Sequence, residues 1–274
     1  MRHVLLCAFL IACPILSSRA ADMSSAYDRV VTKNELVCGI YAWAPYKELD
    51  PNTGEWKGFA VDIYRKAFAT LDIKVIFKEV VLGNQVQDLN SGRIDAMCDD
   101  GPWILSAGKF VEYSNPAYIA ITFPYVRIDE KRFKKRSDFN SPDVSFTGID
   151  GDLSSDLAHR LFPAAKLLSA PSTTDISQLY LNVQTGKADI MIGDPASFSI
   201  YNKNNPGKLK ALFTDRPIAM YKNVVSVKKG DAKMLGLVNQ AIDNALALGI
   251  VDTILDDFDP QHKLLMRVRL PYGF

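Results

Sequence analysis

Two carboxylates recur at the same point of a repeated segment, and an acid carried at a strand end can hold a cation or move a proton. Residues 89–100 read Leu89-Asn-Ser-Gly-Arg-Ile-Asp-Ala-Met-Cys-Asp-Asp100, and residues 183–194 read Val183-Gln-Thr-Gly-Lys-Ala-Asp-Ile-Met-Ile-Gly-Asp194. At a constant offset of 94, Gly92 matches Gly186, Asp95 matches Asp189, Met97 matches Met191 and Asp100 matches Asp194. Such self-similarity implies two lobes of like topology in one chain. Each lobe then carries one acid at the same structural place, which puts the expected site in a cleft between them. Among the aromatic residues Trp43 is the candidate for a wall of that cleft, with Tyr41, Trp103 and Tyr118 weaker candidates of the same kind. A Trp face favours cations and flat apolar groups, while the plain alternative for Trp43 is partial burial under the loop that follows it. No His, Cys or Ser constellation for nucleophilic catalysis is present. His159 and His262 are isolated, so no metal and no cofactor is expected.

The elements that must position these residues alternate. Leu36–Ile40 reads as a buried strand, and a loop rich in Pro, Asn and Gly follows it. Phe59, Ile63, Ala67 and Leu71 mark one face of a helix. Strands at 74–80 and 94–98 flank a short helix at 85–90. The order repeats: a strand at 144–147, a helix at 153–161, a strand at 166–168, a helix at 176–184 and a strand at 188–192. A strand at 223–227 and two helices, 231–248 and 250–258, close the chain, and the residues beyond Pro260 read as a tail. This alternation predicts an α/β fold with two lobes, each a mostly parallel sheet flanked by helices. The extended runs 119–127 and 220–225 predict two crossings between lobes, which make a hinge. Lobe 1 is then 22–124 plus 222–274, and lobe 2, inserted, is 125–221.

The first twenty residues predict export. Arg2 and His3 precede a thirteen-residue apolar stretch, Val4–Leu16, too short to span a bilayer, and Ser18-Arg19-Ala20 fits a cleavage site. A signal peptide over 1–20 and a periplasmic location are expected, with a lipoprotein at Cys13 the alternative. No later stretch is long and apolar enough to cross a membrane. Cleavage would remove Arg2 and Arg19 from the 32 basic residues and none of the 31 acids, moving the formal charge from +1 to −1. That balance gives no reason to expect nucleic acid. Cys38 and Cys98 remain. An oxidising compartment permits a bridge, but parallel strands make one awkward, and two separate buried thiols are the preferred expectation.

Several segments taken together resemble the family 3 extracellular solute-binding proteins of bacterial ABC importers. These are Gly39-Ile-Tyr-Ala-Trp-Ala-Pro-Tyr46, Gly58-Phe-Ala-Val-Asp-Ile63, the turns Ser91–Asp95 and Thr185–Asp189, Tyr113-Ser-Asn-Pro-Ala-Tyr118 and Val227-Lys-Lys-Gly-Asp231. The resemblance spans about residues 34–260. It implies a type II periplasmic-binding fold, a small-molecule ligand, mostly a polar amino acid, and an ABC permease as partner. It also implies that Asp194 holds a ligand ammonium, the alternative being a cap on the turn Pro195-Ala-Ser197, and that Trp43 stacks on the ligand.

Two departures bear on the ligand. The family's Gly-x-Thr-x-Thr-Pro-Glu-Arg loop, whose Arg clamps a carboxylate, is here Asp100-Gly-Pro-Trp-Ile-Leu-Ser-Ala107. Ala107 falls where the Arg should be, and Lys109 is two positions on. In lobe 2 the helix start is Gly151-Asp-Leu-Ser-Ser155, where Ser154 can cap the helix, while Asp152 and Asp156 oppose an anion. Closure is expected to bring Asp100 and Trp43 toward Asp194 and Ser154, forming an acidic, aromatic-walled cleft. That cleft suits a small polar solute, amino-acid-like, cationic or hydroxylated. The alternatives are an enzyme on the same scaffold, like the cyclohexadienyl dehydratases, and a periplasmic accessory protein without transport.

Overall fold

A computed structural model describes residues 25–101 and 105–269, without the side chain of Asp100. The expected signal segment and Trp103 lie outside the described residues. The chain begins with α1 (Ala26–Lys33), β1 (Glu35–Ile40), the small hairpin β2 (Glu48–Leu49) and β3 (Trp56–Lys57), α2 (Phe59–Ala69), β4 (Lys74–Glu79), α3 (Gln85–Asn90) and β5 (Ala96–Asp100). After β6 (Val111–Tyr113) and β7 (Tyr118–Arg127) come β8 (Ser145–Ile149), α4 (Leu153–Leu161), β9 (Lys166–Ala170), α5 (Ile176–Gln184), β10 (Ile190–Gly193) and α6 (Pro195–Asn204). The last elements are β11 (Leu209–Ala211), β12 (Ala219–Lys228), α7 (Ala232–Ala247), α8 (Ile250–Phe258) and β13 (Leu265–Arg267).

The sheet repeats itself. Along the order β4-β1-β5-β12-β7-β10-β8-β9, each end holds three parallel strands, closed on the inner side by one long antiparallel strand. The two closing strands, β7 and β12, pair with each other between Ala219↔Thr122 and Asn223↔Tyr118. Each then runs on into one end of the sheet, β12 against β5 and β7 against β10. Two ten-residue strands thus make a ribbon joining two half-sheets. Phe59, Ile63 and Ala67 bury the inner face of α2 in one core, with Val238, Ile242 and Ala245 of α7. Phe139, Phe146, Leu157 and Ile190 form another. The tail read beyond Pro260 contains β13, which pairs with β7. Three residues are too short to display a period-two pattern.

Cys38 and Cys98 are not separate thiols, which corrects the sequence expectation. They form a disulfide with Cα atoms 5.7 Å apart. The objection to a bridge between parallel strands assumed a regular pleat, and β5 does not keep one. Its register against β12 shifts between Val224 and Ser226, and Asp99 takes φ +53°. A bulge of this kind re-aims the side chains around it.

Candidate functional site

The paired Gly-x-x-Asp turns are alike in three dimensions. Gly92 and Gly186 both adopt positive φ, +70° and +75°, which glycine accepts without a Cβ clash. Asp95 accepts a bond from Val37 N at 2.9 Å and pairs with Arg29. Asp189 accepts one from Ser145 N at 3.0 Å and pairs with Arg127 and Arg132. Each acid therefore ties its turn to the first strand of its own half-sheet. These two are structural, and the chemistry lies further along, at the strand ends.

Past β1, the main chains of Trp43 and Lys47 exchange both hydrogen bonds, at 2.7 and 3.1 Å. They close a loop through Ala44, Pro45 and Tyr46, in which the Ala44–Pro45 peptide is cis. Gly58 lies beneath this loop. A Cβ there would stand 2.3 Å from the Tyr46 carbonyl oxygen, and its φ is +124°. One loop thereby presents Trp43, Tyr46 and Lys47 together. Facing it are the end of β10, the start of α4, Asp99 of β5, and Tyr221 and Asn223 of β12, around a cavity of about 50 Å³.

Asp194 is 2% exposed. Its Oδ1 accepts from Tyr46 Oη at 2.9 Å and from Ser197 N at 2.8 Å. Among the described residues its Oδ2 accepts only from Trp43 Nε1, at 3.5 Å, the outer limit of a hydrogen bond. No lysine or arginine pairs with it among the described residues. Burial pushes its carboxyl above the ordinary range, against the bonds from Ser197 and Tyr46 that favour the charged form. Asp194 also caps α6 through Ser197 N, so the cap and the cavity-facing acid are one residue.

Asp99 is 3% exposed and paired. Lys47 Nζ lies 3.2 Å from its Oδ2 and donates to its carbonyl oxygen at 2.6 Å. The same ammonium sits 3.9 Å from the centre of the Tyr41 ring, a cation–π contact. Tyr118 Oη donates to Asp99 from behind. Across the cavity, Asp152 caps α4 by accepting from Ser154 N at 2.9 Å and from Ser154 Oγ. Desolvation, with the nearby Asp194 charge adding to it, pushes the Asp152 carboxyl up to about 6 despite those bonds. The residue as a whole keeps partial exposure.

Of the residues singled out in the sequence, Trp43, Ser154 and Asp194 line the cavity. Tyr118 does not. The alternation of β7 turns it into the first core, stacked on Tyr46 and edge-on to Phe59. Ser154 is not the cap of α4, because it lies inside the helix, and Asp152, the residue just before the first turn, accepts from Ser154 N instead. Lys109 is exposed and off the cavity, while Ala107 is buried in a core. For Asp100 and Trp103 the side chains lie outside the described residues. Asp99, the neighbour of Asp100, lines the cavity. Sequence reading also missed Lys47, Tyr46 and Asn223. The crowding of Tyr41, Trp43 and Tyr46 around Lys47 was the available signal for the first two, and Asn223 had none.

The family described as bacterial extracellular solute-binding proteins, family 3, matches residues 36–259. A "Probable histidine-binding protein" of Neisseria gonorrhoeae is 23% identical over 219 residues, 77% of this chain and 78% of that protein. Among solved structures, a mutant of ArgBP from T. maritima superposes with TM-score 0.72 at 20% identity, covering 86% of this chain and all of that one. An ancestral amino acid-binding protein described as a precursor of cyclohexadienyl dehydratase gives 0.71 at 22% identity, covering 85% and 99%. At these identities the structural likeness establishes the type II periplasmic-binding fold.

Proposed function

The chain belongs to the bacterial extracellular solute-binding proteins, family 3, and from that premise we propose that it captures a small polar solute, amino-acid-like, cationic or hydroxylated, for an ABC importer. The halves 22–124 plus 222–274 and 125–221 close on the solute about the ribbon of β7 and β12. The protein works in the periplasm after loss of residues 1–20. The observation that carries this reading is Asp194. A buried carboxylate without a cationic partner is costly, and its Oδ2 is directed at a cavity bordered by Trp43. A ligand ammonium placed there supplies the missing charge. Opening of the halves by a permease would return Asp194 to water and release the solute. The histidine and cationic amino-acid names carried by relatives agree with a ligand bearing positive charge.

The test is a melting-temperature screen of the wild type and Asp194→Asn against amino acids and small amines. At least one compound should raise the wild-type transition, and the same compound should leave the variant unmoved. No response to any compound contradicts the proposal. Asp152, an acid titrating near 6 in the cavity, is what favours the alternative of acid–base catalysis. Consumption of a stabilising compound by the wild type would move the reading there.

A further inference from the structure

We infer that the ligand is a compact amine carrying a neutral oxygen acceptor and no carboxylate, such as an amino amide or amino alcohol. This rests on the solute-binding reading above and narrows it. An amino-acid zwitterion needs a cation or a helix start for its carboxylate, and among the described residues the lysine and the helix-start N–H that line the cavity are already engaged. Lys47 is the one basic residue lining the cavity among the described residues. It is held by Asp99 through both the carboxylate and the carbonyl, with its remaining face on Tyr41. The start of α4 is the natural anion seat on the opposite wall. There the N–H of Ser154 and its hydroxyl already bond to Asp152, an internal carboxylate. A ligand carboxylate would have to displace that acid and face it, close to Asp194 as well.

A different group does await an acceptor. Asn223 is 3% exposed, lines the cavity, and its Nδ2 has no hydrogen-bond partner. An orphaned buried donor is costly, and a hydroxyl or amide oxygen satisfies it without adding charge. Among the described residues the wall therefore offers Asp194, a buried carboxylate with no ion-pair partner, to an ammonium, and the unpaired donor of Asn223 to a neutral oxygen. The cavity is small, about 50 Å³, which favours a compact molecule such as 2-aminoethanol or glycinamide.

Isosteric pairs test this directly. Titration calorimetry would compare glycinamide with glycine and L-alaninamide with L-alanine, with 2-aminoethanol as a further probe. In every pair that binds, the amide is expected to bind about tenfold tighter or better, because the acid brings a like charge to Asp152. Asp152→Asn keeps a capping side chain and should reduce that ratio, while Asn223→Ala should weaken the amides. An amino acid that binds as tightly as its amide overturns the inference and leaves the solute-binding proposal standing. Binding by no member of either set overturns both.

Discussion

At the scale of the residue, the cavity is defined by which charges have partners. Asp95, Asp189 and Asp99 each have a basic neighbour, and Asp194 has none among the described residues. Asp152 adds a measurable pH dependence. Its folded pKa of about 6 lies above the ordinary 3.8. Between those values the folded protein keeps a proton that the unfolded chain has released, so stability falls as pH rises from about 4 to 6 and is flat above. The groups facing it are Ser154, Asp194 and Tyr221, and Asp194, also raised, acts in the same direction. Because Asp152 is partly exposed, the effect is on the order of 1 kcal/mol. Melting curves at pH 4.5 and 7.5 should show it, with a smaller difference in Asp152→Asn. A cationic ligand prefers the charged acid, so its affinity should rise through pH 6. Calorimetry that finds affinity falling over this interval would remove Asp152 from the ligand's surroundings.

At the scale of the element, two local devices aim the site. The first is Gly58, whose missing Cβ lets the main chain of Tyr46 approach. Gly58→Ala should cost about 1–3 kcal/mol and weaken ligand binding, since it moves Tyr46 and Lys47 together. A variant with unchanged melting temperature and affinity would show that the loop adapts. The second is the bulge in β5 beside the Cys38–Cys98 bridge. Replacing both cysteines by serine should loosen Asp99 and lower affinity, read by calorimetry on protein that still melts cooperatively.

Much of this scale was legible in the sequence. The helices at 153–161, 176–184 and 250–258 fall on the residues expected, because apolar spacing and caps mark them. The bulge was not legible. The offset of 94 that aligns Asp100 with Asp194 treats the two segments as equal in register, and a single residue at positive φ breaks that equality. Asp99, the residue at that positive φ, lines the cavity. The same limit hid Lys47. A lysine between aromatics reads as surface until a partner from 52 residues away meets it.

At the scale of the whole molecule, the halves are held together by few direct bonds across the cavity. Among the described residues, Tyr46 Oη to Asp194, Trp43 Nε1 to Asp194 at 3.5 Å, Ser197 Oγ to Ala44 O at 2.7 Å and Leu105 N to Asp156 at 3.2 Å are side-chain bonds of this kind. Tyr46→Phe keeps the ring and its packing against Phe59 and removes one of them. The expected loss is about 1–2 kcal/mol, with a larger radius of gyration by small-angle scattering in the absence of ligand. An unaltered radius would mean that closure does not depend on this contact. The family match and the type II fold agree with a molecule that opens and shuts about β7 and β12. The repeated half-sheet order explains why the sequence announced two lobes so early, since the same segment marks the same strand end in each.

The most direct measurement of the central claim is calorimetric titration of the wild type and Asp194→Asn with the tightest-binding amine found in the screen. Affinity should fall roughly a hundredfold with the α6 cap retained by asparagine and the melting temperature little changed. Equal affinity in the two proteins would contradict that claim and leave Asp194 as a helix cap alone.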